Sequence, residues 1–200
     1  MNNFWHTLEN ADHDLHKYHT KIENYLFKES KNLVVGWMLG KYTSEQIHDI
    51  LENETGVDSK KLYNIFVEEA KHLDISDKIL SALKELKKYY CLILITDNMD
   101  SFDRFTLPAN KQLKDTFDEI HNSYAMKQLK STNNGEYFIK TASEKKANIQ
   151  NCLFIDDSVR NCNLFTSLGG TSYNARDETL TLEAISQIKQ KVIQKWEWQY

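Results

Sequence analysis

Two short stretches, "CLILIT" at residues 91–96 and "NCLFIDD" at residues 151–157, are apolar at consecutive positions instead of alternating. A strand that faces water on one side alternates apolar and polar residues, whereas one that is apolar throughout must be covered on both faces. Such strands belong to parallel sheets with helices packed against each side. Both runs also stop abruptly on polar groups. The first ends on Thr96, Asp97 and Asn98, the second on the adjacent carboxylates Asp156 and Asp157.

The remainder of the chain agrees with that frame. "SDKILSALKELKKYY" predicts a helix capped at Ser76 that leads into the first run, and "FDEIHNSY" leads into a second, weaker strand. "NCLFID" is the third strand and "GGTSYNA" the fourth, with the helix "VRNCNLFTSL" between them; "TLEAISQIKQKVIQK" closes the chain as a helix. Alternating strand and helix predicts a doubly wound α/β core over residues 76–200. The first third reads differently. Leu8, Leu15, Tyr18, Ile22 and Leu26 recur at helical spacing. Thr43 followed by Ser44, Glu45 and Gln46 predicts a capped helix start that Gly56 ends, and "DSKKLYNIFVEEAKHL" is a further amphipathic helix. Residues 1–75 are therefore expected to form a separate α-helical layer or cap.

The 40% apolar content supplies a core, and a net charge of -4 argues against nucleic acid as a partner. No apolar stretch is long enough to predict a membrane span, and the polar, acidic start predicts a cytoplasmic protein without a signal peptide. Cys91, Cys152 and Cys162 lack metal-site spacing and read as reduced core residues.

Ligands of open α/β sheets bind beyond the carboxyl ends of the strands. If the two apolar strands lie close, a hydroxyl, an amide and two carboxylates converge there. Paired carboxylates without thiol or imidazole partners suit a hard, oxygen-seeking ion, most simply Mg²⁺. A hydroxyl facing that ion suits a phosphate oxygen, and a lysine is then needed to balance the charge. Taken singly, an acidic pair after an apolar run also fits an ordinary helix N-terminus.

Order and spacing resemble the haloacid dehalogenase-like (HAD) superfamily, mostly Mg²⁺-dependent phosphohydrolases with a Rossmann-like core and often a helical cap. "LILITDN" resembles its second motif, which implies that Thr96 binds the transferring phosphoryl group, with Asn98 and Asp97 as further substrate-binding residues. "LFIDDSVRN" resembles the fourth motif, which implies Asp156 and Asp157 as Mg²⁺ ligands. The third motif is a lysine. Lys130 matches by its spacing from Ser123 and from Tyr137 and Phe138, with Lys127 as the alternative, and Ser131 stands where the family has a proline. The helical region of residues 10–72 resembles the family's cap, so the resemblance covers nearly the whole chain. It implies a phosphatase acting on a small phosphorylated metabolite.

The family's first motif, an apolar strand ending Asp-x-Asp whose first Asp is the nucleophile, has no counterpart. Asp12-His13-Asp14 has the pattern but no apolar strand before it. In the family that strand lies between the two that end at Thr96 and Asp157, and its loss would leave a gap of about 10 Å. Asn3, Phe4 and Trp5 resemble residues that follow the first motif, so Met1 falls just past the nucleophile. The expectation is a start placed too late or a truncated fragment, inactive as it stands. The alternative is a non-catalytic binding module. His13, His16 and His19, three apart on an expected helix, are read as a solvated face, and Trp37 as packing; Trp196 and Trp198 carry no decision.

Overall fold

A computed structural model describes the backbone of residues 4–197 and the side chains of residues 4–192. Asn3, Trp196 and Trp198 thus fall outside the described side chains. The order of helices and strands is α1 (His16–Glu23), α2 (Lys31–Met38), α3 (Ser44–Thr55), α4 (Ser59–Lys71), α5 (Asp77–Leu86), β1 (Ile93–Thr96), α6 (Leu107–Ala109), α7 (Lys111–Thr116), β2 (Glu119–Asn122), α8 (Ser123–Met126), α9 (Glu136–Glu144), β3 (Leu153–Asp156), α10 (Val159–Ser167), β4 (Thr171–Asn174) and α11 (Glu178–Glu197). β1 pairs with β2, and β3 pairs with β4 in parallel, Asp156 standing opposite Asn174. This is an α/β architecture rich in helix. Among the described residues no helix is long and apolar enough to cross a membrane.

The chain forms two compact units. The first takes the described residues up to Asp74 together with Ile95–Lys111 and His121–Lys127. Helices α3, α4 and α8 begin on side-chain caps. The Thr43 side chain accepts from the Gln46 N–H, and Gln46 Oε1 accepts from the Thr43 N–H at 2.9 Å, a reciprocal capping box. Gly56, at φ +77°, ends the same helix in the left-handed conformation that costs glycine little. The apolar stripes of these helices meet in one core of Leu8, Ile22, Leu26, Trp37, Ile47, Leu51 and Phe66, all 0–1% exposed. Asp12 and Asp14 are exposed in a turn rather than at a strand end.

The second unit takes Ile75–Leu94, Gln112–Ile120 and the described residues from Gln128 onward. Here β3 shows why its sequence does not alternate. Leu153 and Ile155 pack with Leu86 of α5 and with Ile185 and Ile188 of α11. Phe154, on the opposite face, lies 5.0 Å from both Phe138 of α9 and Phe165 of α10, centroid to centroid. Helices therefore cover both faces of β3. All its residues are nonetheless half-buried, because among the described residues only one of its edges carries a neighbouring strand. Gly170 precedes β4 where a Cβ would come within 2.2 Å of the Phe165 ring, so no larger residue fits without moving that ring.

Two expectations need correction. Cys91 is exposed and not in the core, since the strand begins two residues later at Ile93 and leaves Cys91 ahead of the covered segment. The histidine row is not an open helix face either. His13 lies ahead of α1 with its Nδ1 accepting from the Leu15 N–H at 3.1 Å, His16 is exposed at the helix start with Nδ1 2.7 Å from the Leu8 carbonyl, and the His19 side chain is only 13% exposed.

Candidate functional site

Asp156 ends β3 with a side chain only 6% exposed. Burying a carboxylate this far is costly without compensating donors, and the local sequence supplies them. Oδ2 accepts from Lys130 Nζ at 2.7 Å, and the lysine side chain is itself 11% exposed. Oδ1 accepts from the Ser158 N–H at 2.9 Å and from Asn161 Nδ2 at 3.1 Å. Ser158 is also the N-cap of α10, its Oγ accepting from the Asn161 N–H at 3.3 Å. The parallel register adds Asn174, whose Nδ2 donates to the carbonyls of Asp156 and Asp157 at 3.2 and 2.9 Å. The strand end, the cap and the first helical turn thus form one hydrogen-bonded assembly.

The carboxylate of Asp157 stands beside this assembly on an exposed residue. The two acids avoid mutual repulsion by division of labour, one held by a cation and two neutral donors, the other solvated. Burial first and Asp156 second push the pKa of the Cys162 thiol up, which favours its protonated form. The donor set is therefore all oxygen. No cluster of three or more His, Cys, Asp or Glu groups gathers among the described residues. An oxygen set with few carboxylates fits Mg²⁺, which keeps several of its waters, better than it fits Zn²⁺ or Ca²⁺.

Lys127 goes elsewhere. Its Nζ donates to the Gly40 carbonyl at 3.3 Å and sits 4.4 Å from the Tyr124 ring centroid. Its backbone takes φ +55° at the end of α8.

Thr96, Asp97 and Asn98 belong to the first unit, half-buried where β1 ends. The Asn98 N–H donates to Ser123 Oγ at 3.0 Å, and the Met99 N–H donates to Asn98 Oδ1 at 2.9 Å. Sequence reasoning missed the group that follows. Asp100, 2% exposed, accepts from Trp37 Nε1 at 2.8 Å, from the Ser44 Oγ and N–H at 2.6 and 3.1 Å, and from Arg104 at 2.7 Å. Arg104 also grips Glu45 and holds its carboxyl well below the usual range. The spacing of Asp100 and Arg104, four residues apart in a helix-like segment, was the available signal. Asn161 was legible in the same way, as the third residue after the Ser158 cap.

No protein-family model matches the chain, and no curated protein sequence matches it. Solved structures do share its fold. A HAD-like family hydrolase from Porphyromonas gingivalis superposes with a TM-score of 0.67 at 21% identity, over 90% of each chain. A HAD family enzyme from Bacteroides thetaiotaomicron, solved as a magnesium complex, gives 0.62 at 22% identity over 80% of this chain and 82% of its own. The same enzyme with magnesium and inorganic phosphate gives 0.60 at 23% identity, over 78% and 82%. The fold is that of the haloacid dehalogenase-like hydrolases.

Proposed function

We propose that this chain carries the metal and phosphate apparatus of a Mg²⁺-dependent phosphohydrolase of the HAD type, acting on a small phosphorylated metabolite. The observation that carries the reading is the 2.7 Å contact of Lys130 with Asp156, nearly buried at the end of a parallel strand. Asp156 and Asp157 would hold the ion, and Lys130 would counter the charge of a bound phosphoryl group. On the resemblance, Thr96 is a phosphoryl-binding residue, Asn98 and Asp97 are substrate-binding residues, and the helices of residues 1–75 are a cap. When bound, Mg²⁺ supplies neutralisation of phosphate charge. Phosphoryl transfer requires mainly such positioning and neutralisation. The magnesium and phosphate complexes of the Bacteroides enzyme support this assignment.

A second reading is favoured by one feature. Among the described residues, no Asp-x-Asp stands at a strand end; Asp12 and Asp14 are exposed in a turn. Under that reading the chain binds a phosphorylated ligand without turning it over. Titration of Mg²⁺ and inorganic phosphate, set beside turnover of a generic aryl phosphate, tests both. Binding with turnover supports the enzyme, binding alone supports the binding module, and absence of binding removes both.

A further inference from the structure

We infer that Asp100 is a positioning residue, fixing the loop of residues 97–100 on the helices of the first unit so that Thr96 and Asn98 are held for an anion; this rests on the phosphate-binding reading of Thr96. A carboxylate 2% exposed is an expensive way to join helices, since apolar residues of similar volume join them at lower desolvation cost. What a carboxylate adds is direction. Asp100 collects donors from α2 (Trp37), from α3 (Ser44, twice) and from its own segment (Arg104), at 2.6 to 3.1 Å. These donors leave the side chain one orientation, and with it the backbone two residues after Asn98.

Neighbouring bonds act in the same sense. Ser123 Oγ lies within hydrogen-bond distance of the Met38 and Asn98 carbonyls, at 2.9 and 3.1 Å, and accepts from the Asn98 N–H. Asn122 Nδ2 donates to the Met99 carbonyl at 2.8 Å and to Asp103 Oδ2 at 2.8 Å. Trp37 and Met38, the last two residues of α2, therefore both reach this loop, one directly and one through Ser123. Buried polar networks satisfied on every side specify one arrangement. Here the arrangement specified is that of the loop after Thr96.

The test uses the full chain and inorganic phosphate in the presence of Mg²⁺, with affinity read by ³¹P NMR at a temperature where circular dichroism shows each variant folded. Thr96→Ala reports on the phosphate reading, Asp100→Asn on the inference, and Val57→Ala lowers stability from the same helical core without touching the loop. The expected result is weaker binding in Thr96→Ala, at least about tenfold weaker binding in Asp100→Asn, and parent affinity in Val57→Ala. If Asp100→Asn does not fold, Trp37→Phe removes one donor while keeping an aromatic ring in the core and is expected to weaken phosphate binding in the folded protein. Parent affinity in folded Asp100→Asn or Trp37→Phe, alongside a loss in Thr96→Ala, overturns the positioning role. Absence of phosphate binding in the parent, or binding indifferent to Thr96→Ala, overturns the reading beneath it.

Discussion

Lys130 Nζ lies 2.7 Å from Asp156 Oδ2, and both side chains are almost withdrawn from water. A pair this buried is held less by attraction alone than by the cost of separating it. Removing one partner strands the other charge, at a penalty of about 3–5 kcal/mol. Lys130→Met should therefore lower the unfolding free energy by an amount of that order, whereas Lys127→Met, at an exposed lysine, should cost under about 1 kcal/mol. Urea unfolding of both variants measures this. Equal losses would mean that the Lys130 contact does not persist in solution.

The same two variants separate on phosphate. Lys130→Met should weaken Mg²⁺-dependent phosphate or vanadate binding more than Lys127→Met does, compared at a temperature where both are folded. The reverse order would transfer the phosphate-neutralising role to Lys127.

Acid should loosen the helical unit through His48. It is 1% exposed, with Nδ1 2.6 Å from the Ser44 carbonyl and Nε2 buried without a partner among the described residues. Burial pulls its pKa from 6.5 down to about 4, only partly opposed by the Ser44 carbonyl and nearby acids. The unfolded chain thus binds the proton more readily than the folded one. Stability is full above pH 6.5, falls as the pH drops toward 4, and loses nothing further from this group below that. The loss at pH 5 should be about 2 kcal/mol. Denaturant unfolding at pH 7.5 and pH 5 reads it, and His48→Phe should flatten that part of the profile. An unchanged slope in the variant would assign the acid sensitivity elsewhere.

Gly170→Ala should destabilise by about 1–3 kcal/mol through overpacking. The added Cβ meets the Phe165 ring, which is stacked on Phe154 behind β3 and cannot retreat freely. A thermal midpoint equal to the parent's would show that the ring yields.

What the sequence made legible was whatever depends on local pattern. The β3 run, its carboxylate ending and the capping box at Thr43 follow from periodicity and side-chain chemistry within a few residues. The resemblance chose Lys130, and the structure brings that residue to Asp156. Less legible was anything set by long-range closure. Asp100 reads as one more loop acid until Trp37 and Ser44, far away in sequence, are folded against it. The half-exposure of β3 was hidden too, because an apolar run records which faces are covered and not how many edges are paired.

Under the binding reading, the chain should show no measurable Mg²⁺-dependent hydrolysis of an aryl phosphate. Covalent catalysis requires an activated nucleophile, and the described residues present no carboxylate pair of that type at a strand end. Binding apparatus alone leaves a residual acceleration of about 10³–10⁴ by analogy with proteases stripped of their catalytic groups. That is far below detection for a reaction whose enzymes reach about 10²¹. Turnover abolished by Asp157→Asn would instead direct attention to another nucleophile, Asp12 first.

The most direct test of the metal and phosphate assignment is calorimetric titration of Mg²⁺ into the parent chain and into Asp156→Asn and Asp157→Asn, with inorganic phosphate present. Weak, phosphate-enhanced binding in the parent, lost in Asp156→Asn and strongly reduced in Asp157→Asn, is the predicted result. Parent-like Mg²⁺ binding in Asp156→Asn and in Asp157→Asn would contradict the assignment.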